Sequence, residues 1–152
     1  MTTLVFAILL LLNVLVVPPA GAEHDFEVRP VQLGELRLVH QVGPEFFTGG
    51  APRGDADFES LRVAGIRTVI SVDGARPDVD PARVRGLRYV HLPIGYDGIN
   101  ATVAARLARA IRDLPGPIYL HCHHGRHRAP AAAAVGLAGL GRVGSAGGVQ
   151  ML

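Results

Sequence analysis

The segment HCHHGRHRAP, residues 121–130, concentrates the reactive side chains of this chain. It holds Cys122, the only cysteine, and four of the seven histidines: His121, His123, His124 and His127. Arg126 and Arg128 stand among them. Three chemistries fit such a set. Thiolate and imidazole together are ligands for zinc or copper. A thiol ringed by backbone N–H groups is a nucleophile or a sulfur carrier. A basic loop is also compatible with solvated surface and no chemistry at all.

The elements that must hold this loop discriminate among the three. IYLHC, residues 118–122, reads as a strand, and from Pro130 onward the chain reads as an alanine-rich helix. Proline is tolerated in a helix's first turn. N–H groups at a helix start lack partners, so with the helix dipole they bind anions. A thiol held there ionises more readily, because the thiolate is itself an anion. Gly125 lets the backbone turn with its N–H groups inward. Arg128, six positions after Cys122, can fold back and grip a phosphate with two parallel hydrogen bonds. The spacing therefore predicts a phosphate cradle with a nucleophile at its base. Metal ligation is disfavoured by the compact turn, and no second Cys-x-x-Cys or His-x3-His pair occurs elsewhere. We expect no metal and no organic cofactor.

Upstream, strands and helices alternate. LRLVHQV, 36–42, and EFFTGG, 45–50, read as extended segments, the second ending in a glycine turn, after an irregular lead-in over 23–35. Asp55 or Asp57 can cap a helix with Phe58, Leu61 and Ala64 on its apolar face, closed by Gly65. IRTVISV, 66–72, is a β-branched run suited to a buried strand, and LRYVHLPI, 87–94, reads as the next strand after a short helical turn at PARVRG. Asn100 caps a helix over 101–114 whose apolar face carries Val103, Leu107, Ala110, Ile111 and Leu114. This alternation predicts an α/β domain with a mostly parallel central sheet flanked by helices. Ligands of such sheets bind where strand C-termini meet helix N-termini, which is where HCHHGRHRAP falls.

Length and composition allow one domain. Residues 1–22 read as a signal peptide: an apolar run from Leu4 to Val17, a Pro-Pro break, and Ala20-Gly21-Ala22 as a small-x-small cleavage site. Export to the periplasm or medium is expected; an uncleaved segment would instead anchor the chain to the membrane. Residues 23–44 form the lead-in and first strand, and 45–152 the catalytic domain. The 15 basic residues are all arginine and the formal net charge is only +2. With no long basic run or aromatic ladder, nucleic acid is not an expected partner. A lone cysteine forms no disulfide within the chain, so it is buried, paired between chains, or used chemically. Nothing in the sequence fixes an oligomeric state.

HCHHGRHR resembles the His-Cys-x-x-Gly-x-x-Arg signature of the cysteine-dependent protein tyrosine and dual-specificity phosphatases. FFTGGAPRGDADFESLRVAGIRTVISVDG resembles the start of their compact bacterial members, and the likeness spans residues 45–140. It implies hydrolysis of phosphate monoesters, on a protein or a small molecule, through a cysteinyl-phosphate on Cys122. Arg128 and the N–H groups of 123–128 hold the phosphate, His121 supports the loop, and an Asp on a loop after the preceding strand protonates the leaving group. Asp97 fits that place, with Asp73 as the fallback. His123, His124, Gly125, Arg126 and His127 form the substrate-binding loop and its rim. The histidines read either as solvated side chains or as a preference for highly anionic phosphates, tuned by protonation. Two departures stand out. Ala129 replaces the usual Ser or Thr after the arginine. One or two helices that the family places after the loop are missing from the glycine-rich C-terminus, which is read as incomplete. A non-catalytic phosphate-binding relative, a His/Cys metal binder and a rhodanese-like sulfur transferase are the alternatives.

Overall fold

A computed structural model describes residues 27–144 and Gly148. The expected signal peptide lies outside the described residues. No helix among the described residues is long and apolar enough to cross a membrane.

Six strands form one sheet: β1 (Val28–Pro30), β2 (His40–Val42), β3 (Phe46–Gly50), β4 (Thr68–Ser71), β5 (Arg88–His91) and β6 (Ile118–Cys122). Their order is β1-β2-β3-β6-β4-β5. The pairs β3–β6, β6–β4 and β4–β5 are parallel, and β1–β2–β3 are antiparallel. The mostly parallel α/β architecture is thus as expected. Among the described residues the sheet is joined by the helices α1 (Asp55–Val63), α2 (Asp80–Arg83), α3 (Ala101–Asp113) and α4 (Arg128–Ala138).

Side-chain alternation along β6 divides the interior in two. Ile118, Leu120 and Cys122 face a core that includes Phe46, Ile70, Val72, Leu107 and Ile111 with the α4 alanines. Tyr119 faces the other core, with Phe47, Phe58, Leu61, Val69 and Ala82. The alanine content of α4 has a packing cause. Ala129, Ala132 and Ala133 are fully buried, and at Gly136 a Cβ would come within 2.5 Å of Ile111 Cδ1. Small side chains thus let α4 sit close to both the sheet and α3. Asn100 caps α3 as expected, its side chain accepting from the Val103 N–H at 3.0 Å.

Several local expectations are corrected. The lead-in contains a strand, β1. Residues 36–39 form no strand; they turn, and only His40–Val42 pairs. Gly54, with φ +125°, precedes α1 in place of an aspartate cap; Asp57 lies within the helix and instead accepts from the Arg53 N–H at 2.8 Å. Ala64 is exposed, so it is not part of the α1 apolar face. The glycines of FFTGG do not make a turn: both lie in β3. α4 begins at Arg128, two residues before Pro130.

Candidate functional site

β6 occupies the interior of the sheet and delivers Cys122 to its C-terminal edge, opposite Gly50 of β3. The chain then turns through 123–127 into α4. Cys122 is 3% exposed, and its Sγ accepts a hydrogen bond from the Gly125 N–H at 3.3 Å. The turn therefore closes back on the cysteine that starts it. The N–H aimed at it makes the sulfur a hydrogen-bond acceptor.

Two glycines of β3 make the turn possible. Gly125 has φ +79°, and a Cβ there would lie 2.5 Å from Gly49 C and 2.6 Å from Gly50 N. The turn is packed directly on backbone. Gly49 has a separate reason: a Cβ on it would collide with the Tyr119 hydroxyl, which donates to the Gly50 carbonyl at 2.7 Å. Backbone bonds from the Gly50 N–H to Arg37 O (2.8 Å) and from the Ala51 N–H to His123 O (3.3 Å) complete the seam.

Arg128, at the start of α4, reaches the loops that follow β4 and β5. Its Nη2 is 3.0 Å from Asp73 Oδ1, its Nη1 donates to Ile94 O at 3.4 Å, and its guanidinium lies 4.8 Å from the Tyr96 ring centre. The other Asp73 oxygen is 3.4 Å from His123 Nδ1. Burial of Asp73 works to raise its carboxyl. The Arg128 charge and hydrogen bond, with the Gly74 and Ala75 N–H groups, outweigh that and hold it below the usual carboxylate range.

His121 is 2% exposed and points to the side of the sheet opposite Cys122, where its Nε2 meets the Tyr89 hydroxyl at 2.6 Å. Burial pushes the imidazole down to about 4, only partly offset by the nearby Cys122 main chain and Asp73. Burial also raises the Tyr89 phenol to about 12. Both groups are therefore neutral at pH 7, and the phenol is free to donate to Nε2. Among the described residues, no partner meets hydrogen-bond geometry at the buried Nδ1. His121 is thus buried directly before Cys122, on the opposite face of the sheet and paired with Tyr89.

The remaining loop residues lie outward. His123, His124, Arg126 and His127 are exposed, with the His123 and His124 rings edge to face at 4.4 Å. Among the described residues, no three His, Cys, Asp or Glu side chains converge to hold a metal ion. Asp97 occupies an exposed turn at 96–97. The loop that carries it reaches the cradle through Ile94 and Tyr96, but among the described residues the Asp97 side chain has no hydrogen-bond or ion-pair partner. Its carboxylate folds over Gly95, where a Cβ would clash with it. Ala129 is fully buried, its methyl part of the apolar core.

Sequence reasoning missed the partners of Arg128. Asp73 was visible only as a fallback acid, although its place just beyond β4, the strand beside β6, was a usable signal. Tyr89 and Tyr96 carried none, since their roles depend on strand order and loop path.

No protein-family model and no curated protein matches the chain. Solved structures do. A DUF442 protein of Shewanella putrefaciens CN-32 with a phosphatase designation superposes with a TM-score of 0.62 at 22% identity, over 76% of this chain and 78% of that one. P. aeruginosa TpbA in complex with pTyr gives 0.65 at 17% identity, over 86% and 79%. The core catalytic domain of the S. cerevisiae PP-IP phosphatase SIW14, in complex with citrate, gives 0.58 at 16%, over 71% and 66%. The chain shares the fold of the cysteine-based protein tyrosine and dual-specificity phosphatases.

Proposed function

We propose that this chain, built on the fold of the cysteine-based phosphatases, hydrolyses phosphate monoesters through a cysteinyl-phosphate on Cys122. The observation that carries the reading is the buried Cys122 sulfur receiving the Gly125 N–H at 3.3 Å, with Arg128 held at 3.0 Å by Asp73, whose other oxygen faces His123 of the same turn.

In the first step the Cys122 thiolate attacks phosphorus, and the bond to the leaving oxygen breaks. Turn N–H groups and the Arg128 guanidinium hold the equatorial oxygens as charge shifts onto them. The departing oxide needs a proton, which Asp97 supplies; general acid help of this kind contributes roughly 10²–10⁴-fold. Water then attacks the phosphocysteine, Asp97 takes its proton, and the P–S bond breaks to restore the thiolate and release phosphate. Asp73 is a poor candidate for the acid, because its ion pair with Arg128 keeps it ionised. Its part is to orient Arg128, as His121 supports the turn from behind. With Ala129 in place of a hydroxyl, nothing at that position can donate to the leaving sulfur, so the second step is expected to be the slower one.

The test is hydrolysis of p-nitrophenyl phosphate by the wild-type protein with and without chelator, and by Cys122→Ser. Activity that is indifferent to chelator and abolished in Cys122→Ser supports the reading. Activity surviving Cys122→Ser would sink the thiol mechanism, and activity lost only in chelator would replace it with metal chemistry. Sulfur transfer from thiosulfate to cyanide would identify a rhodanese-like enzyme, and vanadate binding without turnover a phosphate-binding protein.

A further inference from the structure

The residue that holds Arg128 is itself held at every polar atom. Asp73 Oδ1 is 3.0 Å from Arg128 Nη2, and Asp73 Oδ2 is 3.4 Å from His123 Nδ1. The Gly74 and Ala75 N–H groups donate to the same carboxylate. The Asp73 N–H lies 3.3 Å from Ser71 Oγ, to which it donates, and its carbonyl lies 2.8 Å from His91 Nε2. In a loop at the edge of a sheet, such groups are commonly left to water. A residue fastened at its amide, its carbonyl and both carboxylate oxygens has little freedom to turn.

His91 reaches Asp73 from β5. The parallel pairing of β4 and β5 sets His91 opposite Ser71, so its imidazole starts two residues behind Asp73 and reaches forward to the carbonyl. A carbonyl only accepts, so Nε2 carries the proton of this bond. Beyond His91 the chain stays in register with the segment after β4. The Leu92 N–H donates to Ser71 O at 2.8 Å, and the Ile94 N–H to Val72 O at 3.2 Å. Ile94 then offers its own carbonyl to Arg128 Nη1 at 3.4 Å. Arg128 is thus held by the end of β4 through Asp73 and by the end of β5 through Ile94, and His91 ties those two ends together. The Arg128 and Asp73 side chains are only 14% and 13% exposed, so water does little to loosen the pair. A shift of the Asp73 main chain would therefore pass to the guanidinium.

We propose that His91 is a positioning residue for the cradle: by donating to the Asp73 carbonyl, it fixes the carboxylate that aims Arg128 at a bound phosphate. The assignment rests on the phosphatase reading of the cradle and deepens it. Among the described residues His91 makes no hydrogen bond to the 123–127 turn or to Arg128, so it acts through Asp73.

The probe is tungstate, a tetrahedral oxyanion that stands in for phosphate, titrated by calorimetry so that turnover plays no part. His91→Phe removes the donor and should raise the tungstate Kd by about threefold to tenfold, the effect of one lost hydrogen bond. His91→Gln keeps an N–H donor and should bring Kd back to within about twofold of wild type. In an Asp73→Ala background, where no carboxylate is left to aim, adding His91→Phe should change Kd by less than about twofold. A merely structural role would lower the number of binding sites as protein unfolds and leave the Kd of the folded remainder unchanged. No tungstate binding by the wild-type protein, an unchanged Kd in His91→Phe, no recovery in His91→Gln, or the full loss repeated in the Asp73→Ala background overturns the assignment. Failure of the phosphatase reading would show separately, as absent turnover of p-nitrophenyl phosphate by a wild-type protein that still binds tungstate.

Discussion

Substituting alanine for Gly125 adds one methyl group where the structure has no room and no flexible neighbour. The new Cβ would meet Gly49 C at 2.5 Å, Gly50 N at 2.6 Å and Gly49 O at 2.9 Å, all backbone atoms of β3. No side-chain rotamer relieves that contact, so the turn must move by about 0.9 Å to reach an ordinary separation. Holding alanine at φ +79° costs about 1–2 kcal/mol. Overpacking against backbone adds about 1–3 kcal/mol. The sum, about 2–5 kcal/mol, lowers Tm by roughly 8–20 °C in a domain of this size. The same shift draws the Gly125 N–H away from the Cys122 sulfur, to which it now donates at 3.3 Å. Misplacing one such donor costs about 10²–10³ in kcat. Thermal melts followed by circular dichroism and p-nitrophenyl phosphate kinetics measure both effects. A variant that melts within about 2 °C of wild type and keeps kcat within about threefold would refute the packing of this turn on β3.

Other perturbations probe the surrounding groups. His121 has its imidazole pushed down to about 4 from an unfolded value near 6.5. Stability is therefore fully present above pH 6.5 and falls by about 3 kcal/mol as the pH drops toward 4. Urea melts across this range should show that slope in the wild-type protein and lose it in His121→Gln. Tyr89→Phe removes the hydroxyl 2.6 Å from Nε2 and leaves a buried nitrogen unpaired, which should cost about 1–3 kcal/mol in the same melts. Asp73→Asn breaks the pair with Arg128 and should destabilise the fold by about 1.5–3 kcal/mol at neutral pH. Because the Asp73 carboxyl is held low, that difference is present above the ordinary carboxylate range and should vanish as the pH falls below it. Asp97→Asn should lower kcat for a poor leaving group by about 10²-fold and change the pH–rate profile; an unchanged profile would remove Asp97 from the acid role.

The spacing Cys122, Gly125, Arg128, between the apolar strand IYLHC and an alanine-rich helix, was enough to read from sequence the strand–turn–helix that carries them. These residues are close along the chain, and their geometry follows from local rules: strand end, turn glycine, helix start. The mostly parallel sheet was legible for a similar reason, since periodicity and Gly/Pro punctuation are local. Boundaries were less so. Residues 36–39 look like strand, yet in the fold they form the turn that presents Arg37 beside the cradle.

What only the tertiary structure decided is which distant residues meet. The glycines of FFTGG read as a turn, and strand order makes them instead the flat floor on which Gly125 rests. Asp73 reads as a spare acid, and the β4–β6 pairing brings it to Arg128 as an ion-pair partner. Arg37 carries no motif, and the bond from the Gly50 N–H to its carbonyl draws its turn against the cradle. The sequence by itself brought Cys122, Gly125 and Arg128 to one strand–turn–helix, because all three belong to one short segment. The order of strands in the sheet determined their floor and their ion-pair partner, because hydrogen bonds between strands join segments that the chain keeps far apart.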